Sequence, residues 1–270
     1  MPSLRINDYD LAYAEAGSGT PLLMIHGSLC DYRYWHPQMA PFAARRRAIA
    51  VSLRHCWPEA WDGGGEGYSI EQHVQDTIAF IDALDAGPVD LLGHSRGGYI
   101  AFLVALRAPG RVRRLILAEP GGTPDPTLAP ECAGLAPVSS SRLAEAAQRI
   151  AAGDIDGGLA LFIDGVSGAP LWQHMVGSFK RMARDNARTL LGQVREQRMG
   201  FSRAQLRALK TPTLLIGGAL SPPPFPQLLD LLHQHIDGSR RVTIAGARHA
   251  MNLAAPIPFN AAVLDFLASP

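Results

Sequence analysis

One stretch constrains this chain more than any other: Val89-Asp90-Leu91-Leu92-Gly93-His94-Ser95-Arg96-Gly97-Gly98, followed by the apolar run Tyr99 to Leu106. A segment suited to a buried strand meets a turn flanked by glycines and then a helix, with Ser95 at the apex. The Gly93-x-Ser95-x-Gly97 spacing has a steric cause, because the sharp turn strains its central residue and leaves no room beside it for side-chain carbons. It leaves a serine hydroxyl at the carboxyl end of a strand, over the amino end of a helix where peptide N–H groups favour negative charge. This is the layout of a nucleophile elbow.

The surrounding pattern is an alternation of short strands and helices. Leu4 to Ile6 and Leu11 to Ala16 predict an edge hairpin turning at Asn7 to Asp10. Leu22 to Ile25 and Ala48 to Leu53 predict buried strands. Ser69-x-x-Gln72 predicts a capping box opening a helix that buries Ile70, Val74, Ile78, Ile81 and Leu84. Val112 to Ala118, Thr213 to Ile216 and Val242 to Ala245 complete the strands, with helices over Phe225 to His235 and Phe259 to Leu267. Between Thr123 and about Leu209 the character changes: prolines 124, 126 and 130 are followed by amphipathic segments with no strand pattern. The expected plan is a mostly parallel, doubly wound α/β sheet formed by residues 1–122 and 210–270, with an all-helical lid, 123–209, inserted over the carboxyl ends of the strands.

Two further segments supply chemistry to Ser95. After the strand Leu22 to Ile25 comes His26-Gly27-Ser28, and a glycine there lets the backbone cross the top of the sheet. The N–H groups of Ser28 and Arg96 are the expected oxyanion hole. A serine also needs a base, and His249 follows the last strand in a loop returning to the same sheet edge. His55 and Cys56 read as structural loop residues rather than a reactive pair.

Composition excludes several classes. The net charge is +1, and Lys180 and Lys210 are the only lysines among 25 basic residues, so Arg45-Arg46-Arg47 reads as a solvated face and no nucleic-acid partner is expected. The cysteines, Cys30, Cys56 and Cys132, have no metal-type spacing, and neither metal nor cofactor is expected. No run reaches the length of a membrane span and no leader is evident, so the expectation is a cytoplasmic monomer or homodimer acting on a small molecule without a membrane partner.

His26-Gly27, Gly93-His94-Ser95-Arg96-Gly97-Gly98 and His249 resemble the oxyanion strand, nucleophile and base of α/β-hydrolase-fold enzymes, and the resemblance runs over essentially the whole chain. It implies an α/β-hydrolase fold and a serine, acid and histidine triad. One departure is informative: where the family commonly carries its aspartate, after Leu214-Leu215-Ile216-Gly217-Gly218-Ala219, this chain has Leu220. A subset of the family, including zearalenone-type lactone hydrolases, places the acid after the strand that follows the elbow. That position is Glu119 here, the alternatives being a serine–histidine dyad or Asp125.

The resemblance implies a serine ester or lactone hydrolase, with Leu29, Trp172, Leu220 and Met251 expected against the substrate. Its rivals are a carbon–carbon bond hydrolase of a diketone or ring-cleavage product, a lyase, and a non-catalytic ligand-binding receptor. The Arg96 side chain either steers an anionic substrate or, preferably, pairs with an acidic neighbour.

Overall fold

The computed structural model describes residues 2–128, 140–196 and 200–269. In chain order, the strands before the insertion are β1 (Ser3–Ile6), β2 (Tyr9–Ala16), β3 (Pro21–Ile25), β4 (Arg47–Val51), β5 (Val89–His94) and β6 (Val112–Ala118). The helices between them are α1 (His36–Ala43), α2 (Ile70–Ala83) and α3 (Arg96–Arg107). The insertion carries β7 (Thr123–Pro124), α4 (Ser140–Ala151), α5 (Ile155–Ser167), α6 (Gly177–Asp185), α7 (Thr189–Arg195), β8 (Gly200–Phe201) and α8 (Arg203–Ala208). The chain closes with β9 (Thr213–Gly218), α9 (Phe225–His235), β10 (Arg240–Ile244), α10 (Met251–Ala254) and α11 (Pro256–Ala268).

Among the described residues eight strands form one sheet in the order β1-β2-β4-β3-β5-β6-β9-β10. The β1–β2 and β2–β4 pairs are antiparallel and the remaining pairs parallel. This is the expected α/β-hydrolase fold. Every residue of β3, β5 and β9 is buried, as continuous apolar runs with helices on both sheet faces require. The hairpin turn is tighter than the sequence suggested: Asn7 and Asp8 alone make it, at φ 43° and 58°, the left-handed geometry that matches strand twist.

Helix α2 keeps half of its expected capping box. The Ser69 hydroxyl accepts the Gln72 N–H at 3.0 Å, but the Gln72 side chain donates to Asp76 instead of returning to the cap. Its buried face holds His73, Val74, Thr77, Phe80 and Ile81, while Ile70, Ile78 and Leu84 sit half-buried at the edges. Helix α3 is buried from Arg96 through Ala105, which explains its nearly all-apolar sequence.

The insertion is not all-helical. Two-residue strands β7 and β8 pair in parallel at its base, too short to leave a sequence pattern. Its helices gather around Leu143, Ala146, Ile150, Leu159, Leu190 and Trp172, and Leu29 from the β3–α1 loop joins them. The loop 54–67 docks beneath: the Trp57 N–H donates to Asn186 at 2.8 Å, and Arg188 and Arg195 donate to the carbonyls of Asp62 and Gly63. Pro130 and Cys132 lie outside the described residues. Among the described residues no helix is long and apolar enough to cross a membrane.

The elbow is built by backbone contact. A Cβ on Gly97 would lie 2.3 Å from the His26 carbonyl oxygen and 2.4 Å from that of Ile25, so α3 is pressed directly onto the end of β3. Gly110, by contrast, has open space around the same position. Gly97→Ala is therefore expected to lose more than about 3 kcal/mol or fail to fold, and Gly110→Ala to stay within about 0.5 kcal/mol of the parent, as read by urea unfolding.

Candidate active site

Ser95 sits at φ 52° and ψ −123°, a strained conformation for a residue with a side chain, of the kind that costs about 1–3 kcal/mol. The surrounding backbone imposes it: the Ser95 N–H donates to the Ala118 carbonyl at 3.0 Å, and the Ser95 carbonyl accepts from Gly98 and Gly121 at 2.8 and 2.6 Å. Gly27 packs against the same residue, since a Cβ there would lie 3.1 Å from the Ser95 Cβ. The ends of β3, β5 and β6 are thus locked together around one hydroxyl.

Glu119, one residue beyond β6, also has positive φ, 40°, and its N–H is held by the Ile216 carbonyl at 2.9 Å. Its carboxylate is 1% exposed and has two partners: Oε1 accepts the Gly218 N–H at 2.8 Å, and Oε2 lies 2.7 Å from Nδ1 of His249. With the proton on Nδ1, Nε2 of His249 keeps its lone pair. The imidazole is clamped between the Phe225 ring, stacked at 4.0 Å, and the His94 ring at 4.7 Å, while Nε2 of His94 donates to the His249 carbonyl at 2.8 Å.

Asp125, the alternative acid, and Asp230 of α9, the next carboxylate after β9, are both occupied elsewhere. Asp125 accepts from the N–H and hydroxyl of Thr127 in a surface turn, and Asp230 pairs with Arg241. Leu220 points outward, 52% exposed, and its N–H closes a backbone bond to Ala247 at 2.8 Å.

A cavity of about 130 Å³ opens over Ser95. Its apolar wall is Ile70, Phe162, Val166, Phe225 and Leu228, and its polar wall is Ser28, Thr123, Gln193, Arg96 and Glu196. The expected substrate contacts are not among the lining residues. Leu29, at φ 62°, and Trp172 are buried in the core of the insertion, Met251 is buried beneath the sheet edge, and Leu220 faces away. Sequence reasoning missed Phe162, Val166, Gln193 and Glu196, because which face of the insertion meets the sheet depends on how it docks, and Phe225, because the course of the chain from β9 into α9 leaves no local pattern.

The Arg96 guanidinium is buried and paired. Nη1 donates to Glu196 Oε2 at 2.5 Å, Nη2 donates to Glu196 Oε1 and to Nδ1 of His73, and the group lies 4.7 Å over the Tyr68 ring. His55 contacts Glu59 at 3.0 Å and stacks on Trp61, while burial pushes the neighbouring Cys56 thiol well up, so neither is poised to react. Among the described residues no cluster of His, Cys, Asp and Glu is placed to hold a metal.

The model of the Alpha/beta hydrolase family matches residues 22–262. The chain belongs to that family. A 2-hydroxymuconate semialdehyde hydrolase from Pseudomonas sp. (strain CF600) is 35% identical over 115 residues, 42% of this chain and 40% of that protein. The chain spans about two-fifths of the length of the curated relatives it matches. An esterase from Exiguobacterium antarcticum superposes with a TM-score of 0.83 at 22% identity, covering 99% of both chains. The enol-lactonase from Burkholderia xenovorans LB400 gives 0.80 at 18% identity, covering 99% of this chain and 100% of that one. At these identities the structural likenesses show the fold.

Three histidines brace the site in neutral form. His26 accepts the Leu53 N–H on Nε2 and faces the Gly27 carbonyl with Nδ1, tying the ends of β3 and β4, and burial pushes it down to about 4. Burial, reinforced by the Arg96 charge, holds His73 well below its usual range; burial and the adjacent His249 do the same for His94. The unfolded chain takes up these protons near pH 6.5 and the native state refuses them, so their contribution is complete above that pH and is lost as the pH falls. Each is worth about 1.4 kcal/mol per pH unit in that window, roughly 4 together. Urea midpoints should therefore drop steeply from pH 6.5 towards 4; a flat profile to pH 5 would contradict neutral burial.

Proposed function

We propose that this hydrolase cleaves a carboxylic ester or lactone of a small to medium, uncharged substrate through an acyl-enzyme on Ser95. The observation that carries the reading is the buried Glu119 carboxylate 2.7 Å from Nδ1 of His249, beside a serine in a strained elbow. Ser95 Oγ attacks the carbonyl carbon and its proton passes to Nε2 of His249, with Glu119 fixing the tautomer and stabilising the imidazolium. The N–H groups of Ser28 and Arg96 receive the oxyanion, and the amino end of α3 adds to their field. Collapse breaks the acyl C–O bond, and the departing alkoxide takes the proton from His249. Water, deprotonated by the same histidine, then releases the carboxylic acid and restores Ser95. For a lactone, the alcohol stays tethered and the product is a hydroxy acid. Residues 123–209 serve as the cap, supplying Phe162 and Val166 to the acyl-binding wall.

The carbon–carbon bond alternative raised by the sequence fits less well. Its substrates carry acidic groups, and the guanidinium on the cavity wall is already neutralised by Glu196. A receptor reading drew on the missing acid at Leu220, and Glu119 supplies a carboxylate to the histidine.

Stopped-flow hydrolysis of p-nitrophenyl butyrate and an aryl lactone tests the proposal. Wild type should give a nitrophenol burst, Ser95→Ala none, and Glu119→Gln a kcat lower by about 10²–10⁴ with little change in KM. Wild-type turnover that Glu119→Gln leaves intact would remove Glu119 from the mechanism, and absence of any acylation of Ser95 would remove the reaction.

A further inference from the structure

The two residues assigned to the oxyanion hole come from different strand ends, yet their side chains are held by one short segment of the cap. Ser28 Oγ donates to Oε1 of Gln193 at 2.8 Å, and the Arg96 guanidinium grips the carboxylate of Glu196 through both oxygens. Gln193 lies in α7 and Glu196 immediately follows it, and all four residues line the cavity. Arg96 is 6% and Glu196 8% exposed at the side chain, so this pair is closed off from water, where a bidentate contact fixes geometry as well as charge. Neither side chain is free to meet a reacting carbonyl, because each is already engaged by the cap.

We infer that Gln193 and Glu196 are positioning residues for the oxyanion hole: the cap fixes, through the side chains of Ser28 and Arg96, where their backbone N–H groups point. Residue 28 lies in a turn between Gly27 and the left-handed Leu29, and the bond from its hydroxyl to Gln193 ties that turn to the cap. Arg96 opens α3, where the Ser95 bonds and the Gly97 contact set the course of the backbone and the grip of Glu196 on the Arg96 side chain holds that first turn against the cap. An oxyanion donor acts only when aimed at the developing charge, so loosening either anchor costs transition-state binding more than ground-state binding. The inference rests on the acyl-enzyme reading above, and its test separates the two.

The probe is an aryl trifluoromethyl ketone, which adds to a serine hydroxyl to give a hemiketal oxyanion, measured alongside steady-state hydrolysis of p-nitrophenyl butyrate. Gln193→Leu keeps the volume and removes the acceptor, and Glu196→Gln keeps the shape and removes the charge. Each is expected to lower kcat about tenfold with KM nearly unchanged, and to weaken the ketone by the same factor as kcat/KM. Ser28→Ala retains the backbone N–H but cuts the same link from its other end, so Ser28→Ala/Gln193→Leu should lose no more than either single variant. Because Gln193 is half-buried, its variant keeps the test available if Glu196→Gln does not fold. A raised KM at constant kcat, or weaker catalysis with unchanged ketone affinity, would overturn the inference while leaving the acyl-enzyme intact. A wild type that neither bursts nor binds the ketone would overturn the functional reading and this inference with it.

Discussion

A carboxylate at 1% exposure is the most demanding group in this molecule, and much of the site follows from satisfying Glu119. An ionised side chain taken out of water is tolerated only with hydrogen-bond donors in place. Gly218 supplies one from the end of β9, where a Cβ would strike the carbonyls of Ala247 and Arg248, and His249 supplies the other. The positive φ at Glu119 turns the side chain back over the sheet towards both. Removing one donor leaves a buried charge short of a partner, so the ends of β6 and β9 and the β10–α10 loop depend on one another.

The same requirement governs how the insertion is held. Its apolar core is modest, and buried polar contacts fix its placement on the sheet. Asp31, fully buried, is bound by Arg33 and by the Asn186 amide at 2.7 Å, and Asn186 in turn accepts the Trp57 N–H. With the Arg96–Glu196 ion pair this makes two buried polar anchors between the sheet and the insertion, each built on a charged group. Apolar packing tolerates sliding, whereas a buried charge that loses its partner costs about 3–5 kcal/mol. Such anchors specify one cap orientation, which a preorganised site needs.

These constraints explain which parts were legible in the sequence. Strand ends were, because an apolar run that stops at Gly-x-Ser-x-Gly or His-Gly-Ser reports local sterics. The roles proposed for Ser95 and His249 came from strand ends along one sheet edge and that of Glu119 from the family resemblance, and the structure brings Glu119 and His249 into contact. The cavity wall was not legible. Trp172 and Leu29 are as apolar as Phe162 and Phe225, and only the way the insertion docks on the sheet decides which of them line the cavity over Ser95. Nor could any local pattern single out Glu196 among 24 acidic residues as the partner of Arg96. Strands β7 and β8, at two residues each, carry no periodicity to read.

On the proposed reaction, the paired guanidinium beside Ser95 also bears on turnover. Ester and lactone hydrolysis both end with a carboxylate in the cavity, formed next to Ser95. An unpaired Arg96 in this low-dielectric wall would attract that product several times more strongly than in water and slow its departure. Glu196 cancels most of that attraction at range, because charges in close bidentate contact act from outside as a dipole. In the proposed mechanism the oxyanion of the tetrahedral intermediate is then left to short-range N–H dipoles, which act at one point in space and weaken once the charge moves onto the leaving product. A neutral wall with directed donors thus separates transition state from product, which a bare cation would bind alike.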